Sequence, residues 1–245
     1  MMWRREVIGV TQSFDALKEQ VWRANLRLVE AGLVALTWGN ASGIDREAGV
    51  AAIKPSGVDY AELTAEDIVL VALDSGQALP GQRFKPSSDT PTHVCLYQRF
   101  PALGGIVHTH SAAATAWAQA CRAIPCYGTT HADTFYGPVP LCRALTDEEI
   151  REKYEWNTGE AIAEFFEKEG INLAHVPGVL APHHGPFAWG ASAAEAVEHA
   201  IILEEVARLA AQTEVLHPGI NPIPRALLDK HFLRKHGAGA YYGQK

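Results

Sequence analysis

The chain has 245 residues, 47% of them hydrophobic, and a formal net charge of −7. That is enough apolar material for one sizeable core, and with no linker-like stretch to divide it, one domain over residues 1–245 is expected. An acidic chain with no Lys/Arg run longer than Arg4–Arg5, and without eighteen consecutive uncharged apolar residues or a leader-like start, argues against nucleic acid and membrane as partners and for a cytoplasmic protein.

From Ser13 to Gly32 the apolar residues Phe14, Leu17, Val21, Ala24 and Leu28 recur at three- and four-residue intervals. The spacing predicts an amphipathic helix with Ser13 as N-cap and Gly32 just past its end. LVALTWGNASGID and VAAIKPSG read as short strands between Gly-rich turns, and DIVLVALDSGQAL as a strand closing on an Asp-Ser-Gly turn. Residues 89–100, DTPTHVCLYQRF, carry Pro91 in the first turn and predict a helix. A strand over 104–108, an Ala-rich helix near 111–121, a strand at PVPLC and a helix over NTGEAIAEFFEKEG ending at Gly170 follow. GVLAPHHGPFAWG reads as a strand and turn that lead into the long helix SAAEAVEHAIILEEVARLAAQTEV, with RALLDKHFLRKHG as the last helix. Hairpin-type strands alternating with helices predict an α/β fold, a largely antiparallel or mixed central sheet covered by helices.

Chemistry-bearing residues cluster after apolar strands. His108 and His110 are two apart, so on a strand both imidazoles face one side and can share an ion, with His183 or His184 as the third donor. The alternative is that each ring ends a strand and bonds to backbone. A cupin-like reading needs a carboxylate shortly after the pair, and SAAATAWAQA has none. The four cysteines (Cys95, Cys121, Cys126, Cys142) form no CxxC pair and read as reduced and structural. TWGNASG, IKPSG and KPSSD, with Lys54 and Lys85, are turns whose backbone N–H groups can hold an anion, and equally are ordinary turn chemistry. Asp133, among His131, Thr134 and Tyr136, reads as a general acid/base or as a turn aspartate. Tyr241 and Tyr242 lie in a glycine-flanked tail that lacks the strand–turn–helix context of a dinucleotide site.

LTWGN, IKPSGVDY, KPSSDTPTH, GGIVHTHS, GTTHADTFYG, GPFAWG and LLDKH through YYGQ, in this order, resemble the L-ribulose-5-phosphate 4-epimerases of the class II aldolase/epimerase superfamily, from about the first helix to the last residue. The resemblance implies a mostly antiparallel central sheet and a homotetramer with sites at subunit interfaces. It also implies a Zn2+ enzyme, with another divalent ion possible, that interconverts L-ribulose 5-phosphate and D-xylulose 5-phosphate. Carried over by motif, His108, His110 and His184 are the imidazole ligands and Asp89 an additional or exchangeable carboxylate ligand. Gly39, Asn40, Lys54, Ser56, Gly57, Ser87 and Ser88 become the phosphate and substrate contacts, Asp133 and Tyr242 the acid/base pair, and His231 a histidine supplied near the site by a neighbouring subunit. One departure is PHHG where the family has H-x-H-G, which leaves His183 without a role; another is the extension over 1–12. The family's aldolases, which resemble SSE where this chain has SSD, are the main alternative, and a related dehydratase is a third. A silent scaffold should have lost these ligands.

Overall fold

The computed structural model describes residues 13–237 and 239–241; the extension over 1–12 and Tyr242 lie outside the described residues. Among the described residues, seven helices and six strands follow one another as α1 (Asp15–Glu30), β1 (Asn40–Asp45), β2 (Val50–Ile53), β3 (Val69–Ala72), α2 (Thr90–Arg99), β4 (Gly105–His108), α3 (Ala112–Gln119), α4 (Thr129–Ala132), α5 (Asp147–Glu169), β5 (Gly178–Ala181), β6 (Gly185–Gly190), α6 (Ala193–Leu216) and α7 (Arg225–His236). The strands form one sheet in the order β3-β2-β1-β4-β6-β5, with every neighbouring pair antiparallel.

The pleat sorts the core into two layers. Ala41, Val107 and Ala188 point to one face, where Val21, Ala24 and Leu28 of α1 and Ala196, Val197 and Ala200 of α6 cover them. Ile106, Phe187 and Trp189 point to the other, against Leu96 and Tyr97 of α2 and Ile162 and Phe166 of α5. Pairing of Asn40 with His108, and of His108 with Phe187, lines these three residues across the sheet at one end. Their shared register, on the α2/α5 face, is what positions the site.

Several sequence expectations change. LVALTW forms no strand, because Leu36 and Gly39 take positive φ (53° and 76°) before β1 begins at Asn40. A Cβ on Gly39 would meet the His108 carbonyl oxygen at 3.0 Å, so this turn lies directly on the end of β4. PVPLC makes only isolated bridges from Val139 and Leu141; Pro138 and Pro140 offer no N–H to a ladder. Ser13 is not the N-cap of α1; Phe14 is, while the Ser13 hydroxyl accepts from the Asp15 N–H at 3.3 Å. The helix expected from Asn157 starts at Asp147, behind a capping box of Thr146 and Glu149, and still ends at Gly170 in the left-handed conformation.

Candidate active site

The imidazole corner is built at the ends of β4 and β6. His108 closes β4, fully buried, and its Nδ1–H donates to the Pro186 carbonyl at 3.0 Å, which leaves Nε2 as the free lone pair. His110 lies beyond the strand, yet its Nε2 comes within 3.1 Å of His108 Nε2. His184, in the turn from β5 to β6, completes a set whose donor atoms lie within 4.8 Å of one another. Phe187 stacks on the His108 ring at 4.3 Å between centroids and fixes its plane. Burial pushes His184 down to about 3 and lowers His108 as well, which favours neutral rings with one N–H and one free lone pair each. Three imidazoles whose donor atoms converge this closely fit a zinc-like cation, and three protein ligands would leave it an open position.

His183 turns away. Its backbone takes φ of 59° and its ring packs on the Cys121 thiol, 3.3 Å from Nε2, which separates the two adjacent histidines into one inward and one outward side chain.

Asp89 occupies the N-cap position of α2 but makes no cap bond with its side chain. Its Oδ2 instead accepts from the Asn40 amide at 2.7 Å and the Ser87 hydroxyl at 3.4 Å. Burial alone would raise this carboxyl; the imidazoles of His108 and His93 and the Asn40 amide outweigh it and hold it below the usual carboxylate range. Beneath it His93, pushed down to about 3 by burial, bonds through Nδ1 to Ser42 Oγ at 2.7 Å, and Ser42 in turn to the Tyr97 hydroxyl at 2.8 Å.

A cavity of about 400 Å³ opens in front of these groups. Gly39, Asn40, Ser56, Gly57, Ser87 and Ser88 line it, as do Lys54, Asp89, His110 and His184. The turns expected to bind an anion are thus brought together from three separate stretches. Lys54 serves them indirectly: its buried ammonium donates to the carbonyls of Val58 (2.8 Å), Pro55 (3.3 Å) and Thr37 (3.5 Å) and sits over the Tyr60 ring, tying two cavity turns to each other. Burial lowers Lys54 to about 8.

Asp133 and His231 are not in this wall. Asp133 follows α4, and its carboxylate meets three side chains of α7: His231 Nδ1 at 3.0 Å, Arg234 at 3.0 and 3.1 Å, and Lys235 at 3.2 Å. Burial would raise its pKa, but hydrogen bonds from His231, Lys235 and Arg234 hold it below the usual range, as a carboxylate.

Sequence reasoning missed Tyr154 and Glu155, which also line the cavity. They follow a break inside α5 at Lys153 (φ −143°, ψ 57°), and REKYEW contains neither Pro nor Gly to announce it. Trp38, half-exposed beside the His110 ring at 6.3 Å, was visible in TWGN but carried no periodic signal.

Residues 19–211 match the profile of the class II aldolase and adducin N-terminal domain family. The chain is 54% identical over 229 residues, 94% of this chain and 99% of the relative, to L-ribulose-5-phosphate 4-epimerase UlaF of Salmonella paratyphi A, and equally to that of Salmonella typhi. Among solved structures, L-fuculose 1-phosphate aldolase superposes with a TM-score of 0.75 over 91% of this chain and 97% of its own, at 23% identity, which is a likeness of fold.

Proposed function

The chain belongs to the class II aldolase and adducin N-terminal domain family, and from that premise we propose that it epimerises L-ribulose 5-phosphate at C4 to D-xylulose 5-phosphate. The observation that carries the reading is the convergence of His108, His110 and His184 beside a hydroxyl-lined cavity. The 54% identity to relatives named for this reaction supports the choice of substrate.

C4 is not adjacent to the C2 carbonyl, so its hydrogen is not acidic and simple deprotonation cannot invert it. The C4 hydroxyl is β to the carbonyl, however, so C3–C4 can break by a retro-aldol step. His108, His110 and His184, with Asp89 as an additional or exchangeable donor, would hold a Zn2+ or similar ion, which would supply Lewis acidity toward the charge left over C2 and C3 of the three-carbon fragment. Asn40, Ser56, Gly57, Ser87 and Ser88 hold the phosphate of the glycolaldehyde phosphate fragment while its aldehyde turns over. Lys54 keeps those turns in place from below.

Re-formation of the bond on the opposite face inverts C4 and needs a proton acceptor on one side and a donor on the other. Asp133 and Tyr242 take these roles, with His231 beside Asp133. Because Asp133 lies outside the cavity wall of its own chain, a second copy brings it to the site, in a homotetramer acting in the cytoplasm.

Incubation of the purified protein with L-ribulose 5-phosphate tests this. D-xylulose 5-phosphate as the product supports it; free dihydroxyacetone with glycolaldehyde phosphate assigns the protein to the aldolases instead.

A further inference from the structure

Two of the three imidazoles have their second nitrogen fixed by a visible partner, and the partners differ in kind. For His108 it is a backbone carbonyl, that of Pro186. For His184 it is a side chain on another element: the Tyr154 hydroxyl lies 3.2 Å from Nδ1, with the phenol ring 5.8 Å from the imidazole.

The site of that tyrosine is constructed. At Lys153 the α5 backbone leaves helical geometry, one turn after Glu149. The Asn157 side-chain amide donates to the Glu149 carbonyl at 2.9 Å. From α2, the Thr92 hydroxyl donates to the Glu155 carbonyl at 2.6 Å, and the Thr158 hydroxyl to that of Tyr154 at 2.9 Å. Three side chains thus bond to carbonyls around the break, and Tyr154 is the first residue after it.

A neutral imidazole carries one proton. With Nδ1 against Tyr154, the nitrogen of His184 left for a cation is Nε2, so the proton is on Nδ1 and donates to the phenol oxygen. The phenol is then the acceptor, and its own proton has no acceptor among the described residues. Tyr154 lines the cavity beside Asp89 and His110, where its rotatable hydroxyl hydrogen can meet an oxygen of a bound polyol. A carbonyl in its place could orient the imidazole but could not donate.

We infer that Tyr154 couples the two halves of the site: its oxygen accepts from His184 Nδ1 and fixes the tautomer that presents Nε2 to the cation, and its O–H donates to a hydroxyl or carbonyl oxygen of the bound sugar phosphate. The first half needs only a cation; the second rests on the epimerase reading above.

Tyr154→Phe separates the hydroxyl from the ring, since the phenyl group keeps the contact with His184. Zinc affinity is measured without substrate, by competition with a chromophoric chelator, and the variant is expected to bind about 10-fold or more weakly. An affinity equal to that of the parent protein overturns the tautomer assignment, since a packing role alone predicts no change. At saturating zinc, KM for L-ribulose 5-phosphate is expected to rise severalfold; unchanged KM and kcat overturn the donor role. If the parent protein does not turn over L-ribulose 5-phosphate, the epimerase reading fails and the zinc measurement still decides the first half.

Discussion

The corner that gathers imidazoles and the corner that gathers charges are built on different logic. His108 and Phe187 are paired across the sheet and His184 lies in the turn that begins β6, while the chain's exit beyond β4 brings in His110, so that the three donor atoms lie within 4.8 Å of one another. Asp133, by contrast, is held by side chains of a helix about a hundred residues away, His231, Arg234 and Lys235, through ion pairs that need no strand register. One corner faces the cavity of its own chain and the other does not. The imidazoles sit at the ends of paired strands, whereas Asp133 sits at the end of α4, where side chains of α7 hold it as a carboxylate.

Breaking the first corner should have the largest effect. His108→Asn removes a central donor, and zinc content is expected to fall to background, with activity lower by about three orders of magnitude or more, as several kcal/mol of Lewis-acid stabilisation disappears. Metal analysis and the epimerase assay check both, and full activity in a metal-free preparation would sink the assignment. Asp133→Asn should cost about 10²- to 10⁴-fold in rate while zinc content stays unchanged. The two inactive variants, unfolded and refolded together, then sharpen the contrast. If His108 and Asp133 of different copies make one site, about a quarter of the sites in random mixed oligomers are intact and activity returns; a mixture as dead as its components places both residues in one chain's site.

The imidazole corner was legible because strand ends leave a short-range record: HTH after GGIV and HHG after GVLA mark where apolar runs stop and donors begin. Even so, the reason was partly different from the expected one. His110 is not on the strand, and convergence comes from the chain's exit toward α3 rather than from the pleat. The three phosphate-type turns were legible one at a time, but their meeting in one cavity depends on β1, β2 and α2 being neighbours, which no local pattern encodes. Tyr154 was illegible for a physical reason: the break at Lys153 is stabilised from outside by Asn157 and Thr92, so nothing in REKYEW itself disfavours a continuous helix.

That dependence on α2 makes Gly159 the next point to press. A Cβ there would lie 2.7 Å from Cys95 Cβ and 3.1 Å from the Thr92 carbonyl oxygen, so α5 packs on α2 at a distance that only glycine permits. Gly159→Ala is expected to destabilise the protein by about 1–3 kcal/mol through overpacking, despite alanine's better helix propensity. A urea midpoint equal to or above that of the parent would show that the two helices separate without cost and that the α5 break is not set by this contact.

Both corners also hold buried neutral histidines, and acid should tell them apart by the smallest effect. His131 in α4 is pushed down to about 4 by burial, and its Nε2 has no partner. An exposed histidine in the unfolded chain takes up its proton near pH 6.5, so between that pH and about 4 the unfolded state binds more protons than the folded one. Stability must therefore fall as pH drops through this window, and the slope from His131 ends once the folded ring also titrates. The deficit due to this residue is about 2 kcal/mol at pH 5 relative to pH 7. His131→Phe removes it while keeping an aromatic ring beside Phe135. Urea midpoints of variant and parent at the two pH values, taken with zinc bound so that the imidazole corner stays unprotonated, should diverge by that amount. Equal losses in the two proteins would mean that His131 finds water or a partner on protonation, and that the charged corner tolerates acid as well as the imidazole corner.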